Sequence, residues 1–449
     1  MAAVSRLPVR LEPGQAGGST MGDAVSFLTI YLILTLAVPS YLTIEALGAI
    51  GRPSTLWGVL GLSWWAFERL RRSTPLAGGS PVVRAVLLLF LASVLISYAM
   101  ANLQGMPPSE STPADSGLVR VAGWVGIALV ANDGVTSVSR WLCLMRRFAL
   151  IGGLAALLGL AQFVSGQSLL EWIQLPGFSA DTAYTVVSNR GDFVRPSGAA
   201  SQPLEYATVL SMVLPIALML ALTEQHRSFA ARWWPAAAVA LISVISGSRS
   251  ALIGAAVGVL ALVPSWSASV RLKALAAAAT LLGIVYVGVP GMAGTIRGMF
   301  LSLGNDSSSL SRTDSYSVAV EIALRNAFFG RGFGTFLPHY RIFDNGYLTA
   351  LVELGLVGTG LLLLVLGCSM TGALRTAFAT APRGSTVRAQ GAAVAASLLA
   401  GGVLLAIFDG LNFSMSAALL FLMSGAAGAF RGLHSPPPGQ SASQSREEP

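Results

Sequence analysis

Four groups of residues in this 449-residue chain have the types and spacing of a site that handles anions. Arg195-Pro196-Ser197-Gly198 is followed by Gln202-Pro203-Leu204-Glu205-Tyr206. A guanidinium presents a planar fork that grips phosphate at two points, and Pro203 suits the first turn of a helix. An arginine snorkelling where a helix leaves the membrane gives the same pattern. The second group, Ser246-Gly247-Ser248-Arg249-Ser250, is a tight turn between two apolar runs. An arginine there is costly unless it meets an anion or a carboxylate. A phosphate and a salt bridge to Asp344 would each meet that need.

The third group is the long stretch that carries Arg297, Arg312, Asp314, Glu321, Arg325, Arg331, His339 and Arg341. Its Gly330-Arg331-Gly332-Phe333-Gly334 follows a helical pattern rather than a strand. That makes it a turn returning the chain to the membrane, not a dinucleotide fingerprint. The fourth group is Asp344-Asn345-Gly346-Tyr347-Leu348 followed by Glu353-Leu354-Gly355-Leu356-Val357-Gly358. Asp344 and Asn345 could cap a helix. Glu353 lies two turns deeper, where a carboxylate needs a partner or a polar cavity, and Thr349 one turn earlier could be that partner. Arginines can stabilise a departing phosphate while a carboxylate takes a hydroxyl proton.

The elements that position these groups follow from composition. Hydrophobic residues make up 54% of the chain and charged residues only 11%, against about 25% charged in a soluble domain. So few charges cannot cover that much apolar surface in water, which predicts an all-α polytopic membrane protein. About twelve apolar runs are expected, near 24–45, 55–68, 82–100, 118–131, 148–165, 203–222, 233–246, 250–264, 270–290, 346–368, 389–408 and 412–430. Together they define a cytoplasmic segment 1–23, a membrane domain 24–430 and a disordered cytoplasmic tail 431–449. The two cysteines, Cys143 and Cys368, form no disulfide framework and no metal-ligand spacing.

Charge sets the orientation. With both termini in the cytoplasm, the inner side carries 18 basic and 7 acidic residues, and the outer side 10 and 13. The inner excess obeys the positive-inside rule and removes any need for a nucleic-acid partner. Of the 28 basic residues all but Lys273 are arginine, which with the abundance of Ala and Gly suggests the coding bias of a high-GC bacterial genome. The outer face is the elaborate one, with long loops at about 166–202 and 291–345. The second loop should hold a surface amphipathic helix between the ninth and tenth spans. It is expected over Asp314 to Asn326, capped by Ser311 or Thr313, with Val318 and Ile322 on one face.

In this order and at these positions, the four groups resemble the O-antigen ligase and polymerase family of bacterial membrane glycosyltransferases. The family's arginine–glycine–proline segment is matched by Arg195, Gly198 and Pro203, and its glycine–serine–arginine turn by Gly247, Ser248 and Arg249. Arg312 matches the arginine-led helix of its outer loop, and Gly330 and Gly332 the exit from that loop. Asn345, Tyr347, Leu348, Glu353 and Gly355 match the closing pattern. Where the family often has histidine, this chain has Asp344, with His339 five residues upstream. That departure argues against a histidine-based role unless His339 supplies it, and it favours a polymerase-like branch over a ligase.

The resemblance implies glycan transfer from a polyprenyl-pyrophosphate-linked oligosaccharide donor to a glycan or glycolipid acceptor. Transfer would take place on the outer face of the bacterial cytoplasmic membrane, with inversion and with no metal or cofactor. Arg195, Arg249 and Arg312 would hold the pyrophosphate. Asp344 first and Glu353 second would orient or deprotonate the acceptor, with Arg249 also catalytic. Other polysaccharide-assembly membrane proteins are candidate partners. A transporter or flippase for a lipid-linked glycan remains the alternative. It would place its critical polar residues at mid-membrane, whereas this sequence shows few mid-helix charges.

Overall fold

A computed structural model describes residues 23–71, 78–170, 173, 175–180, 188–190, 193–288, 307–379, 381–382 and 384–434. Helices occupy every expected apolar run. In chain order they are α1 (Ala24–Leu36), α2 (Pro53–Arg71), α3 (Pro81–Leu103), α4 (Pro108–Gly134), α5 (Val138–Ser165) and α6 (Pro203–Thr223). Then follow α7 (Phe229–Ile245), α8 (Arg249–Leu262), α9 (Ala268–Gly288), α10 (Ser307–Arg325), α11 (Gly346–Ala379), α12 (Thr386–Leu405) and α13 (Ser414–His434). Among the described residues, α3, α4, α5, α6, α9, α11, α12 and α13 are long and apolar enough to cross a membrane. The remaining apolar helices α1, α7 and α8 are shorter.

Three expectations are corrected. The first run does not stay helical to residue 45. Helix α1 stops at Leu36, because Pro39 has no N–H to donate and disfavours helix in the residue before it. The chain then forms β1 (Leu42–Ile44), which pairs antiparallel with β2 (Phe178–Ala180) from the first outer loop. The surface helix starts at Ser307, so Ser311 and Thr313 lie inside it and cannot be its caps. Its buried face is Ala319 and Ala323, with Ile322 beside them, packed on Leu348 and Val352 of α11 and on Phe336 and Phe343. Finally, α13 continues to His434, into the segment expected as tail, and 435–449 lie outside the described residues.

Helices α6 and α13 form the centre of the bundle, each buried along most of its apolar window, and α9 lies at the edge. Close crossings rely on small residues. At Gly58 of α2 a Cβ would stand 2.7 Å from the Gly123 carbonyl oxygen of α4. Alternate helices run in opposite directions, which sorts the charges by end. One end holds Arg84 on Asp133 at 3.1 Å, Arg140 on Asp23 and Arg146 on Glu224. The opposite end holds the starts of α4, α6, α8, α11 and α13 with the long loops between them.

Candidate functional site

Arg195 closes a short hairpin, β3 (Ser188–Arg190) with β4 (Phe193–Arg195). The turn after it is fastened from below. Buried Gln162 on α5 accepts the Gly198 N–H at 2.8 Å and donates to the Gly198 carbonyl at 2.9 Å and that of Ser168 at 2.6 Å. Pro203 stands in the first turn of α6, as its fixed φ favours. Glu205, two residues on, is fully buried and fully occupied. Its Oε2 accepts Ser40 Oγ at 3.1 Å, the Ser201 N–H at 3.0 Å and Ser201 Oγ at 2.9 Å, while Oε1 accepts the Met415 N–H at 2.7 Å.

One carboxylate therefore ties the starts of α6 and α13 to the turn after α1. Glu205→Ala should strand these donors in the interior and cost about 3 kcal/mol. Thermal unfolding of purified protein in detergent would measure this, with Glu205→Gln recovering part of the loss. A Glu205→Ala protein as stable as wild type would refute the anchoring role.

Arg249 is the first residue of α8. Gly247 turns the chain at φ 60°, and the Ser248 hydroxyl accepts the Ala251 N–H at 3.4 Å as the N-cap. Helix α8 packs in register with α6, Gly254 on Ser211 and Gly258 on Pro215. The same register puts Arg249 level with Tyr206, one turn below the start of α6. Arg195, just before α6, and Arg249, at the start of α8, thus stand at the same end of the bundle. Arg312 lies on α10 and its side chain is outside the described residues, as is Arg297.

The two glycine motifs answer each other. Helix α11 breaks at Gly355, where φ is 67° and ψ is −169°. The backbone groups freed by the break are taken up by the loop of the third group. Leu356 N–H donates to Ala327 at 2.8 Å, Val357 N–H to Phe328 at 3.0 Å, and Gly332 N–H to the Glu353 carbonyl at 2.9 Å. Ser97 Oγ of α3 donates to that same carbonyl at 3.0 Å. A broken helix inside a membrane requires such replacements, and here the loop of positive-φ glycines Gly330, Gly332 and Gly334 supplies them. The loop is itself held by Glu110, which pairs with Arg331 and accepts Tyr340 Oη at 2.7 Å.

Above the break, Asn345 caps α11 by accepting the Tyr347 and Leu348 N–H groups at 2.9 and 3.3 Å. Asp344 beside it is half-buried. Glu353 is fully buried; its Oε1 accepts the Phe336 N–H at 3.0 Å, and its Oε2 has no hydrogen-bond partner. Thr349 does not serve Glu353 as expected. Its hydroxyl donates to the Asn345 carbonyl at 3.3 Å and faces Asp409.

Asp409 and Arg120 are members of this cluster that sequence reasoning missed. Asp409, between α12 and α13, is within electrostatic reach of Arg120 and Asp344. Its Oδ2 accepts Asn412 Nδ2 at 2.6 Å, and its Oδ1 has no hydrogen-bond partner. Burial pushes the Asp409 carboxyl up to about 6, against the hydrogen bond from Asn412, the nearby Thr349 hydroxyl and the charge of Arg120. Arg120 of α4 is buried and donates to Asn412 O and Oδ1 at 3.4 and 3.5 Å. Its guanidinium lies 5.3 Å from the Phe333 ring and 6.0 Å from the Trp124 ring. Arg120 and Glu353 are thus among the few charges buried inside the helices. The available signals were an arginine inside the apolar run near 118–131 and a lone aspartate between the last two runs.

His339 does not replace the histidine absent at position 344. It is exposed, with its ring centroid 4.2 Å from that of Tyr340. Glu321 and Arg325 form an exposed pair on α10 at 3.5 Å, away from the buried cluster. Among the described residues, no group of three or more His, Cys, Asp or Glu is arranged to hold a metal ion.

Residues 234–363 match the sequence profile of the family described as O-antigen ligase. The matched stretch runs from α7 to the second half of α11, taking in Arg249, Arg312, Asp344 and Glu353 and leaving Arg195, Arg120 and Asp409 outside. A search of curated proteins finds no match. The profile match bears out the family resemblance. Over that stretch it supports an O-antigen ligase/polymerase-type reading of the chain.

Proposed function

We propose, proceeding from an O-antigen ligase segment in a multi-pass bacterial membrane protein, that the chain transfers a glycan from a polyprenyl pyrophosphate carrier to an acceptor hydroxyl. In this reading the chain crosses the cytoplasmic membrane about twelve times with both termini inside, and transfer takes place on the outer face. The acceptor oxygen attacks the anomeric carbon from the side opposite the pyrophosphate. The bond from that carbon to the phosphate oxygen breaks, its electron pair leaves with the pyrophosphate, and the configuration inverts. No metal is needed, because arginines meet the growing negative charge in a site of low dielectric. Arg195 and Arg249 take that role, with Arg312 as a third contributor from α10. Asp344 accepts the hydroxyl proton. Buried Glu353 orients it by fixing the loop above the break in α11.

What supports this reading is that Asp344 and Arg120 lie within electrostatic reach of Asp409 at the end of the bundle where α6 begins after Arg195 and α8 begins with Arg249, opposite the end rich in paired arginines. Asp344→Asn is expected to lower turnover by about 10²–10⁴-fold, the usual contribution of a general base. Donor binding should stay near the wild-type level. Single-turnover assays on a lipid-linked oligosaccharide, beside equilibrium binding of the same donor, test this. Full turnover in Asp344→Asn would remove Asp344 from the mechanism.

One observation favours a second reading. A broken helix with buried Arg120 and Glu353 also suits a transporter of lipid-linked glycans. Such a protein would move the donor without forming a new glycosidic bond.

A further inference from the structure

At the end of the bundle opposite the candidate site, a cavity of about 370 Å³ opens between the start of α5, the end of α6 and the start of α7. Arg146, Arg147, Arg227 and Arg232 line it against a single carboxylate, Glu224. Glu224 is buried and already shared, paired with Arg146 and 3.7 Å from Arg227. Arg147 donates to a neutral partner, Thr29 Oγ1, at 2.7 Å. Arg232 lies 5.8 Å from the Phe229 ring, and its buried Nε has no acceptor. Four guanidinium groups against one carboxylate leave the cavity with an excess of about three positive charges. Such an excess, partly withdrawn from water, calls for an anion.

The walls indicate which anion. Trp234 and Leu150 give the cavity an apolar side. Leu150 is itself 47% exposed and begins a stripe along α5 with Leu154 and Leu157, 53% and 45% exposed. This spacing puts the three on one face of the helix, leading away from the cavity toward the middle of the membrane. Exposed Phe229 and its neighbour Trp233, with ring centroids 5.9 Å apart, stand at the start of α7 beside Arg232, and aromatic residues are favoured where helices meet headgroups. A free phosphate would use the arginines and ignore the stripe. A phospholipid uses both.

We infer that this cavity is a binding site for the headgroup of an anionic phospholipid, with its phosphate among Arg146, Arg147, Arg227 and Arg232 and an acyl chain along Leu150, Leu154 and Leu157. Basic pockets between membrane helices commonly take such headgroups. The bound lipid would brace the α5–α6–α7 corner, at the far end of the same α6 whose start follows Arg195.

The test uses purified full-length protein in phosphatidylcholine nanodiscs doped with phosphatidylglycerol, with retained lipid counted by native mass spectrometry. Wild type should retain phosphatidylglycerol over phosphatidylcholine by about tenfold or more, given the attraction of anionic lipid to each surface arginine. Arg227→Gln with Arg232→Gln should abolish that preference. Glu224→Gln, which removes the only competing carboxylate, should strengthen it, and it decides the matter if the double variant does not fold. Equal retention of both lipids by wild type, or no change in either variant, would overturn the inference. So would full displacement of the lipid by inorganic phosphate, since that would mark a site for small anions. The readout is lipid retention, so the result stands independently of whether the protein transfers glycans.

Discussion

Arg249→Ala is expected to cut glycan transfer by about 10²–10³-fold, the usual effect of removing one donor from a charge-stabilising site. Arg249 projects from a turn whose geometry is fixed by Gly247 at φ 60° and by the Ser248 cap. The seam of α8 with α6 is made by Gly254 on Ser211 and Gly258 on Pro215. The variant should therefore fold, and its loss should appear in turnover. Arg249→Lys keeps the charge but loses the planar fork and should recover only part of the rate. Single-turnover rates and thermal unfolding on the same preparations check both statements. An Arg249→Ala enzyme that is folded and fully active would remove this arginine from the site.

The second large effect falls on stability. Gly355→Ala should cost several kcal/mol and greatly reduce the yield of folded protein, because two separate demands exclude a side chain there. At φ 67° and ψ −169° the backbone adopts a conformation that only glycine tolerates at low cost. An added Cβ would also stand 2.5 Å from the Phe328 carbonyl carbon and 2.6 Å from the Gly330 nitrogen, both backbone atoms that cannot step aside. Gly330→Ala should behave alike from the other side, with its Cβ 2.6 Å from the Leu354 nitrogen. Gly360→Ala, in the same helix with nothing within 4 Å, is the control and should be neutral or stabilising by up to about 1 kcal/mol. Thermal unfolding and size-exclusion profiles in detergent would separate the three. A Gly355→Ala protein with the wild-type midpoint would contradict the docking of the loop on the broken helix.

This pair of glycines shows where sequence reading stops. Each motif was visible by itself, as a turn after a helix and as a Glu-x-Gly in an apolar run. Their mutual contact was not, because it joins residues far apart in sequence and depends on which backbone groups the break leaves open. Arg120 and Asp409 escaped for the same reason, each a single charge whose meaning comes from a neighbour on another helix. Glu205 could be seen at the start of α6, but nothing local announces that Met415 and Ser40 converge on it. What periodicity and composition can specify came through well. Apolar runs fixed where the helices lie, Pro203 marked a first turn, Asn345 marked a cap, and the sorting of arginines separated the two ends of the bundle. Boundaries failed where polar residues extend a helix, as at Ser307, and where a proline cuts an apolar run, as at Pro39.

The most direct test of the central claim is to incubate the purified full-length protein with a polyprenyl-pyrophosphate-linked repeat unit and identify the products by mass spectrometry and anomeric analysis. A new glycosidic bond of inverted configuration and release of polyprenyl pyrophosphate are expected, with both lost in Arg249→Ala and Asp344→Asn. Donor that crosses the bilayer in proteoliposomes with its oligosaccharide unchanged, and no new bond under any condition, would contradict it.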